Sequence, residues 1–470
     1  MKGDNYVFGM IGLGTMGRNL LLNMADHGFK VAGHDKDQTK IDALTKESGK
    51  GDVKGFLTVT DFIESLKKPR AIMMLVPAGK IVDNVIAEIA PLLDEGDLII
   101  DGGNSHFSDT NRRVVELKDK GLHFFGMGIS GGEEGARKGP SMMPGGDRKA
   151  YSVVQPVFEA VAAKVNGEPC VTYIGPGASG HFVKMVHNGI EYGIMQLIAE
   201  TYEMMKKGLK LSDDKIHNTF KTWSDGRLKS FLMEITRDIL AFKENGADHL
   251  LINDIKDEAR SKGTGKWTSQ VAMDLQAPLS VIDAAVSMRD LSKYKSLRAT
   301  ASALYKGEEK IDGAADDILK ALEEALYFST IIAYAQGMHL LSLASTEFKY
   351  ELKMDRIALI WRGGCIIRSV FLEDIYQAYK ADPALLHLLV DKKIAGKVND
   401  LVRGTRSVVS AAVNSGIAMP AFTAALSYFD SLRSERMPSN LIQAQRDYFG
   451  AHTYERIGKE GVFHTQWFAK

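Results

Sequence analysis

The sequence predicts a doubly wound α/β domain over residues 1–176, a large all-α domain over 177–435 and a C-terminal tail over 436–470. Three observations predict it. Short apolar runs alternate with helical patterns up to Gly175; helical periodicity dominates from Ala178 to about Ser434; and a stretch rich in glycine and aromatic residues closes the chain from Met437.

In the first domain, strands are expected at 6–12, 30–35, 71–76, 98–101, 123–130 and 170–174, with helices at 15–27 and 82–93 between them. Gly175-Pro176-Gly177 marks the change of texture, and long helices are expected beyond it at 178–208, 315–340 and 408–433. The tail, punctuated by Pro438, Gly450, Gly458 and Gly461, reads as an extended segment that needs another surface to pack against.

Composition narrows the function classes. Lysine plus arginine and aspartate plus glutamate both total 59, so nucleic acid and anionic membranes are not expected partners, although a local basic pocket for an anionic small molecule remains open. No apolar run reaches the ~18 residues of a membrane span. The start of the chain shows no secretory pattern, which makes the cytoplasm the expected compartment. Cys170 and Cys365 are too few for a disulfide framework and read as reduced, partly buried thiols. The histidines show no metal-ligand spacing, and no G-x-S-x-G elbow occurs, so neither metal nor serine-nucleophile chemistry is expected.

Gly12-Leu13-Gly14-Thr15-Met16-Gly17 fits G-x-G-x-x-G directly after a strand and at the start of a helix. Gly12 permits the tight turn, Gly14 lets a pyrophosphate approach the backbone, and Gly17 allows close helix–strand packing, which identifies a Rossmann-type dinucleotide site. The second strand ends at Asp35, where an acidic residue favours the free 2′-hydroxyl of NAD. Lys36 could instead meet the 2′-phosphate of NADP, while Asp37 leans against it.

The segment from Ala178 carries the chemistry. Lys184, His187, Asn188 and Glu191 recur at helical spacing as one polar stripe flanked by Val183, Met185, Val186 and Ile190. A solvated salt-bridge face would also give such a stripe, but the apolar flanks point to a cleft, with Lys184 and Glu191 as an acid–base pair. Gly189 and Gly193, costly inside a helix, suggest that something packs closely there. Ser130-Gly131-Gly132 and the loop Lys262-Gly263-Thr264-Gly265 offer hydroxyl, N–H and ammonium groups suited to a carboxylate or phosphate, or are ordinary turns.

Together these segments resemble the decarboxylating 6-phosphogluconate dehydrogenases along essentially the whole chain. The resemblance runs through GLGTMG (12–17), DGGNS (101–105), GISGGEEGARKGPSMMPGG (128–146), KMVHNGIEYG (184–193), KGTGKW (262–267), WRGGCIIRS (361–369) and QAQRDYFGAHTYER (443–456). It implies oxidation of 6-phosphogluconate at C3 and loss of CO2 to give ribulose 5-phosphate. Lys184 would act as the base and Glu191 as the acid that protonates C1 of the enediol, with Asn188 beside them. Asn104, Ser130, Gly131, Gly132, His187 and Asn188 match substrate-binding positions. Tyr192, Lys262, Arg289, Arg446 and His452 match those around the substrate phosphate and its neighbouring oxygens, the last two supplied in trans within a homodimer. Val76, Pro77, Ala78 and Asn104 join the glycine loop and Asp35-Lys36-Asp37 as cofactor positions, the cofactor being NADP, with NAD a serious alternative.

The departures lie at Asp35-Lys36-Asp37, where the family carries Asn-Arg-Thr, at Pro77 in place of a lysine, and at Arg260 in place of a glycine. Two other readings remain at this stage: a related β-hydroxyacid dehydrogenase acting on a smaller acid, and a non-catalytic dinucleotide-binding protein.

Overall fold

The computed structural model describes residues 6–49, 51–305, 307 and 309–468. Residues 1–5, which enter the reading of the N-terminus, and tail residues 469–470 lie outside them. Strands β1 (Phe8–Ile11), β2 (Val31–His34), β3 (Val53–Phe56), β4 (Ala71–Met74), β5 (Leu98–Asp101), β6 (His123–Ser130) and β7 (Ser141–Gly146) form one sheet. Its order is β3-β2-β1-β4-β5-β6-β7. The first six strands run parallel, and β7 turns back antiparallel to β6. Strand order reverses between β1 and β4, which places a ligand crevice beyond their carboxyl ends.

Strands β1, β4 and β5 are buried on both faces, as a parallel sheet requires. Helices Thr15–Asp26, Gln38–Glu47 and Arg148–Val161 cover one face, packing Leu20, Leu44 and Phe158 against Phe8 and Met10. Helices Val59–Glu64, Lys80–Ile89 and Phe107–Lys118 cover the other through Phe62, Ile86 and Leu117.

The strand expected at 170–174 does not form; only Val171 bridges Met142 of β7. Met142 N–H donates to Cys170 O and Ile174 N–H to Pro144 O, but Pro144 has no N–H to continue a ladder. Strand β7, with its Met-Pro-Gly-Gly end, forms the edge of the sheet instead. Both cysteines are fully buried rather than partly so.

The second domain is built around the helix Ser179–Glu203, which ends in a π turn at Met204–Gly208. The helix lies directly on β6 and β7, and small residues on both sides allow it. A Cβ on Gly180 would stand 2.2 Å from Met143 O, one on Gly145 2.2 Å from Gly180 N, and one on Gly128 2.3 Å from Lys184 Cβ. Helix Ala315–Glu347 crosses its other side, with Gly337 seated against Ile190. Phe182, Val186, Ile190, Phe328, Ile332 and Trp361 belong to the resulting core, each contributing about 1.5–3 kcal/mol by burial.

The helix expected at 408–433 is two helices, Lys392–Asn414 and Pro420–Leu432. Gly416 takes a left-handed φ of 69° and Pro420 occupies the first turn of the second, so the periodicity is broken between them. The tail is not extended either. Helix Ser439–Gly450 and the hairpin Tyr454–Arg456/Lys459–Phe463 fold around the buried Asp447, which accepts from Thr453 N–H, His464 Nδ1, Thr465 N–H and Trp467 Nε1. Leu441, Ile442 and Phe449 remain exposed on it. Among the described residues no helix is long and apolar enough to cross a membrane.

Candidate active site

The glycine loop has the geometry its spacing implies. Gly12 sits at φ +94°, and a Cβ there would meet Leu75 O at 2.5 Å; one on Gly17 would meet Gly12 O at 1.9 Å; one on Gly14 would meet nothing within 4 Å. The open side belongs to a cavity of about 430 Å³ that reaches from Gly12 and Gly14 past Asp35 and Lys36 to Val76 and Pro77. Thr15 is exposed and Met16 half-buried at the helix start, whereas the Leu13 side chain is core and contributes only backbone to the loop. Its N–H donates to Asp35 Oδ2 at 2.9 Å, and Asp37 N–H donates to Asp35 Oδ1 at 3.0 Å, so the carboxylate is fixed at the cavity wall.

Lys36 pairs with Glu88 at 2.9 Å and Lys40 with Asp35 at 3.3 Å. Lys40, Asn84 and Glu88 also line the cavity and were not singled out from sequence. The spacing of Ile81, Asn84, Val85 and Glu88 along one helix face is the signal that could have found Asn84 and Glu88. Ala78 is exposed beside Pro77, and Asn104 is exposed on the loop after β5.

The central helix brings the polar stripe together. Lys184 is buried, and its Nζ lies 3.4 Å from His187 Nδ1, which lies 3.1 Å from Asn188 Oδ1 and 3.9 Å from Glu191 Oε2. His187 Nε2 is 3.2 Å from Ser130 Oγ at the end of β6, and Ser130 Oγ accepts Ile366 N–H at 3.3 Å. Gly131 and Gly132 follow with φ of 117° and 62°, a turn that closes against Gly364. Trp361 sets its ring edge-on to His187. Through these contacts of Trp361, Gly364 and Ile366 the 361–369 segment packs against the cluster.

Burial is the largest influence on the titration of this cluster. It pulls the Lys184 ammonium below its usual range, against the opposing charge of Glu191, and pushes the Glu191 carboxyl above its usual range, against Lys184 and Arg289. Desolvation, reinforced by Lys184, also keeps the His187 imidazole neutral. The fully buried Cys365 thiol is pushed up to about 12.

Gly189 has the close partner its cost implied: a Cβ there would stand 2.6 Å from Thr268, whose hydroxyl donates to Met185 O. Gly193 makes only ordinary contacts, 3.4 Å to Val281. Thr268 belongs to helix Thr264–Asp274, so the same packing brings the Lys262 loop beside the central helix, with Lys262 exposed. Arg289 stacks on the Tyr192 ring at 3.5 Å and reaches Arg260 O at 3.4 Å. Arg446 and His452 are engaged within the tail, with Gln443 and Phe449, and the single chain does not join them to this cluster.

Comparison with known proteins settles the family. The NAD binding domain of 6-phosphogluconate dehydrogenase matches residues 7–175, and the C-terminal domain of 6-phosphogluconate dehydrogenase matches 180–467. The chain belongs to the 6-phosphogluconate dehydrogenase family. It is 48% identical over 461 residues to the NADP(+)-dependent, decarboxylating 6-phosphogluconate dehydrogenase of Bacillus subtilis, covering 98% of each chain. To the human decarboxylating 6-phosphogluconate dehydrogenase it is 50% identical, covering 97% of this chain and 96% of that one. The Plasmodium falciparum 6-phosphogluconate dehydrogenase, solved apo, with NADP+ and with 6-phosphogluconate, superposes with a TM-score of 0.95 at 43% identity, covering 98% of this chain and 100% of that one. The dehydrogenase family thus accounts for both domains, the α/β sheet and the helical body alike. Among the described residues no cluster of three or more histidine, cysteine or acidic side chains could hold a metal ion.

Proposed function

We propose that this protein oxidises 6-phosphogluconate at C3 with NADP and decarboxylates the product to ribulose 5-phosphate and CO2, a step of the pentose phosphate pathway. The observation that carries this reading is Lys184, buried against His187 and one helical face with Asn188 and Glu191, with its acidity and that of Glu191 displaced in opposite directions. The Gly14 opening, the cavity and the N–H groups of the first helical turn suit a dinucleotide pyrophosphate. Lys36 and Lys40 offer cations to a 2′-phosphate, while the fixed Asp35 keeps NAD a competitor.

NADP, when bound, supplies the hydride acceptor. Lys184, whose charged form is disfavoured by burial, takes the C3 hydroxyl proton as hydride leaves C3. The ammonium so formed stabilises the oxygen on C3 while the carboxylate carbon departs as CO2 and its bonding electrons pass into the enediol. Glu191, whose carboxyl burial pushes above its usual range, then delivers a proton to C1 of that enediol. Ser130, Gly131, Gly132, His187, Asn188 and Asn104 hold the substrate's polar groups, and Tyr192, Lys262 and Arg289 face its phosphate.

Residues 177–435 form the substrate and dimerisation domain of a cytoplasmic homodimer in which the tail delivers Arg446 and His452 to the partner. The exposed Leu441, Ile442 and Phe449 support that placement, since such a patch invites another surface. The reading is tested by mixing purified protein with 6-phosphogluconate and each cofactor while following cofactor reduction and CO2. Absence of both products with NADP and with NAD would sink it.

A further inference from the structure

Arg113 is a charged, fully buried side chain that no role above uses. It stands on helix Phe107–Lys118, and its guanidinium reaches three ways. Nε–H donates to Asp83 Oδ1 at 2.8 Å and Nη2–H to Gly79 O at 3.0 Å, while Nη1 lies 3.4 Å from both Asp101 Oδ2 and Ser105 Oγ.

These partners belong to both sides of the reaction. Gly79 closes the loop whose Leu75, Val76 and Pro77 line the dinucleotide cavity, and Asp83 sits on the helix that presents Asn84 and Glu88 to it. Asp101 and Ser105 bracket the loop that carries Asn104. Asp101 also takes Gly103 N–H at 3.0 Å and the Ser105 hydroxyl at 2.6 Å. Its carbonyl meets His181 Nε2 at 3.0 Å, one helical turn before Lys184. The two loops lie against each other: a Cβ on Gly103 would stand 3.2 Å from Val76 O. One guanidinium thus ties the loop after β4 to the loop after β5, and the second loop is tied in turn to the central helix.

We propose that Arg113 is a positioning residue for hydride transfer, holding the cofactor loop and the Asn104 loop in register with Lys184. It rests on the oxidation proposed above. Arginine suits the task because its planar fork serves several acceptors in different directions, whereas a lysine ammonium is a point charge on a flexible stem. The carboxylates of Asp83 and Asp101 compensate the buried charge, so removing the fork disturbs both loops at once.

The test compares wild type with Arg113→Lys and with Asp83→Asn, the latter removing the negative charge from the partly exposed arm of the network. For each, kcat, the C3-deuterium isotope effect on kcat, NADP and 6-phosphogluconate affinities by calorimetry, and thermal unfolding are measured. Arg113→Lys is expected to lower kcat by about tenfold or more, raise the isotope effect and weaken NADP binding, while 6-phosphogluconate affinity stays within about threefold. Asp83→Asn is expected to move the same quantities the same way by less. A merely structural role would reduce the folded fraction and leave the isotope effect of the surviving enzyme unchanged. That result in folded Arg113→Lys overturns the proposal, and if Arg113→Lys does not fold, an unchanged isotope effect in Asp83→Asn does so. No turnover of 6-phosphogluconate by the wild type would instead overturn the proposed reaction.

Discussion

Gly128→Ala should separate the seat of the catalytic helix from the catalytic groups themselves. The added methyl would stand 2.3 Å from Lys184 Cβ, about 1 Å short of the 3.4 Å at which ordinary contacts begin. The obstacle is not the tip of a flexible chain but the base of Lys184, so the helix must move. Gly145 and Gly180 hold it just as closely at the β7 side, which leaves rigid displacement of the helix from β6 as the main relief. Such overpacking costs about 1–3 kcal/mol of stability. A displacement near 1 Å at the reacting groups lowers kcat by about a hundredfold. Steady-state kinetics at saturating substrate, with circular dichroism melting on the same sample, measures both. A kcat within twofold of wild type in the folded variant would refute the close seating of Lys184 on β6.

Other outcomes follow from the same geometry. Asp35→Asn removes the fixed charge at the cavity wall and releases Lys40, so kcat/KM with NADP should rise about tenfold relative to NAD; an unchanged ratio would take Asp35 out of cofactor selection. Glu191→Gln should still release CO2 but incorporate solvent deuterium at C1 far more slowly, and wild-type incorporation would remove Glu191 as the acid. Truncation before Gln443 should abolish turnover and, if the tail crosses to a partner, yield monomers in sedimentation; a fully active truncated chain would contradict the role of Arg446 and His452. For Asp447, burial opposes ionisation, yet hydrogen bonds from His464, Thr465 N–H and Trp467 hold its pKa down to about 2 from 3.8. A carboxyl depressed by folding stabilises above its unfolded pKa, so the tail's order should persist above pH 3.8 and be lost as pH falls toward 2. Trp467 fluorescence that stays native across that range would refute the Asp447 anchor.

Much of the site was legible because its chemistry depends on local spacing. Gly12, Gly14 and Gly17 could be given separate roles from sequence since each answers to a neighbour within one β–α turn, and Lys184, His187, Asn188 and Glu191 fall on one face by helical periodicity alone. What escaped depends on long-range packing. Strand β7 has a Pro-Gly-Gly end that reads as a turn, and it becomes a strand because β6 offers it an edge while 170–174 lies alongside without continuing the ladder. The tail reads as extended because its organiser is one buried carboxylate, Asp447, whose partners lie 6 to 20 residues away. Arg113 looks like one of a solvated Arg-Arg pair on an amphipathic helix; only the fold sets Gly79, Asp83, Asp101 and Ser105 around it.

Lys184→Met offers the most direct measurement of the central claim, because it removes the amine while keeping an unbranched apolar chain in the buried slot. With 6-phosphogluconate and NADP, cofactor reduction and CO2 release should both fall by about a thousandfold or more, with substrate still bound and the melting curve native. Turnover within about tenfold of wild type would contradict Lys184 as the base.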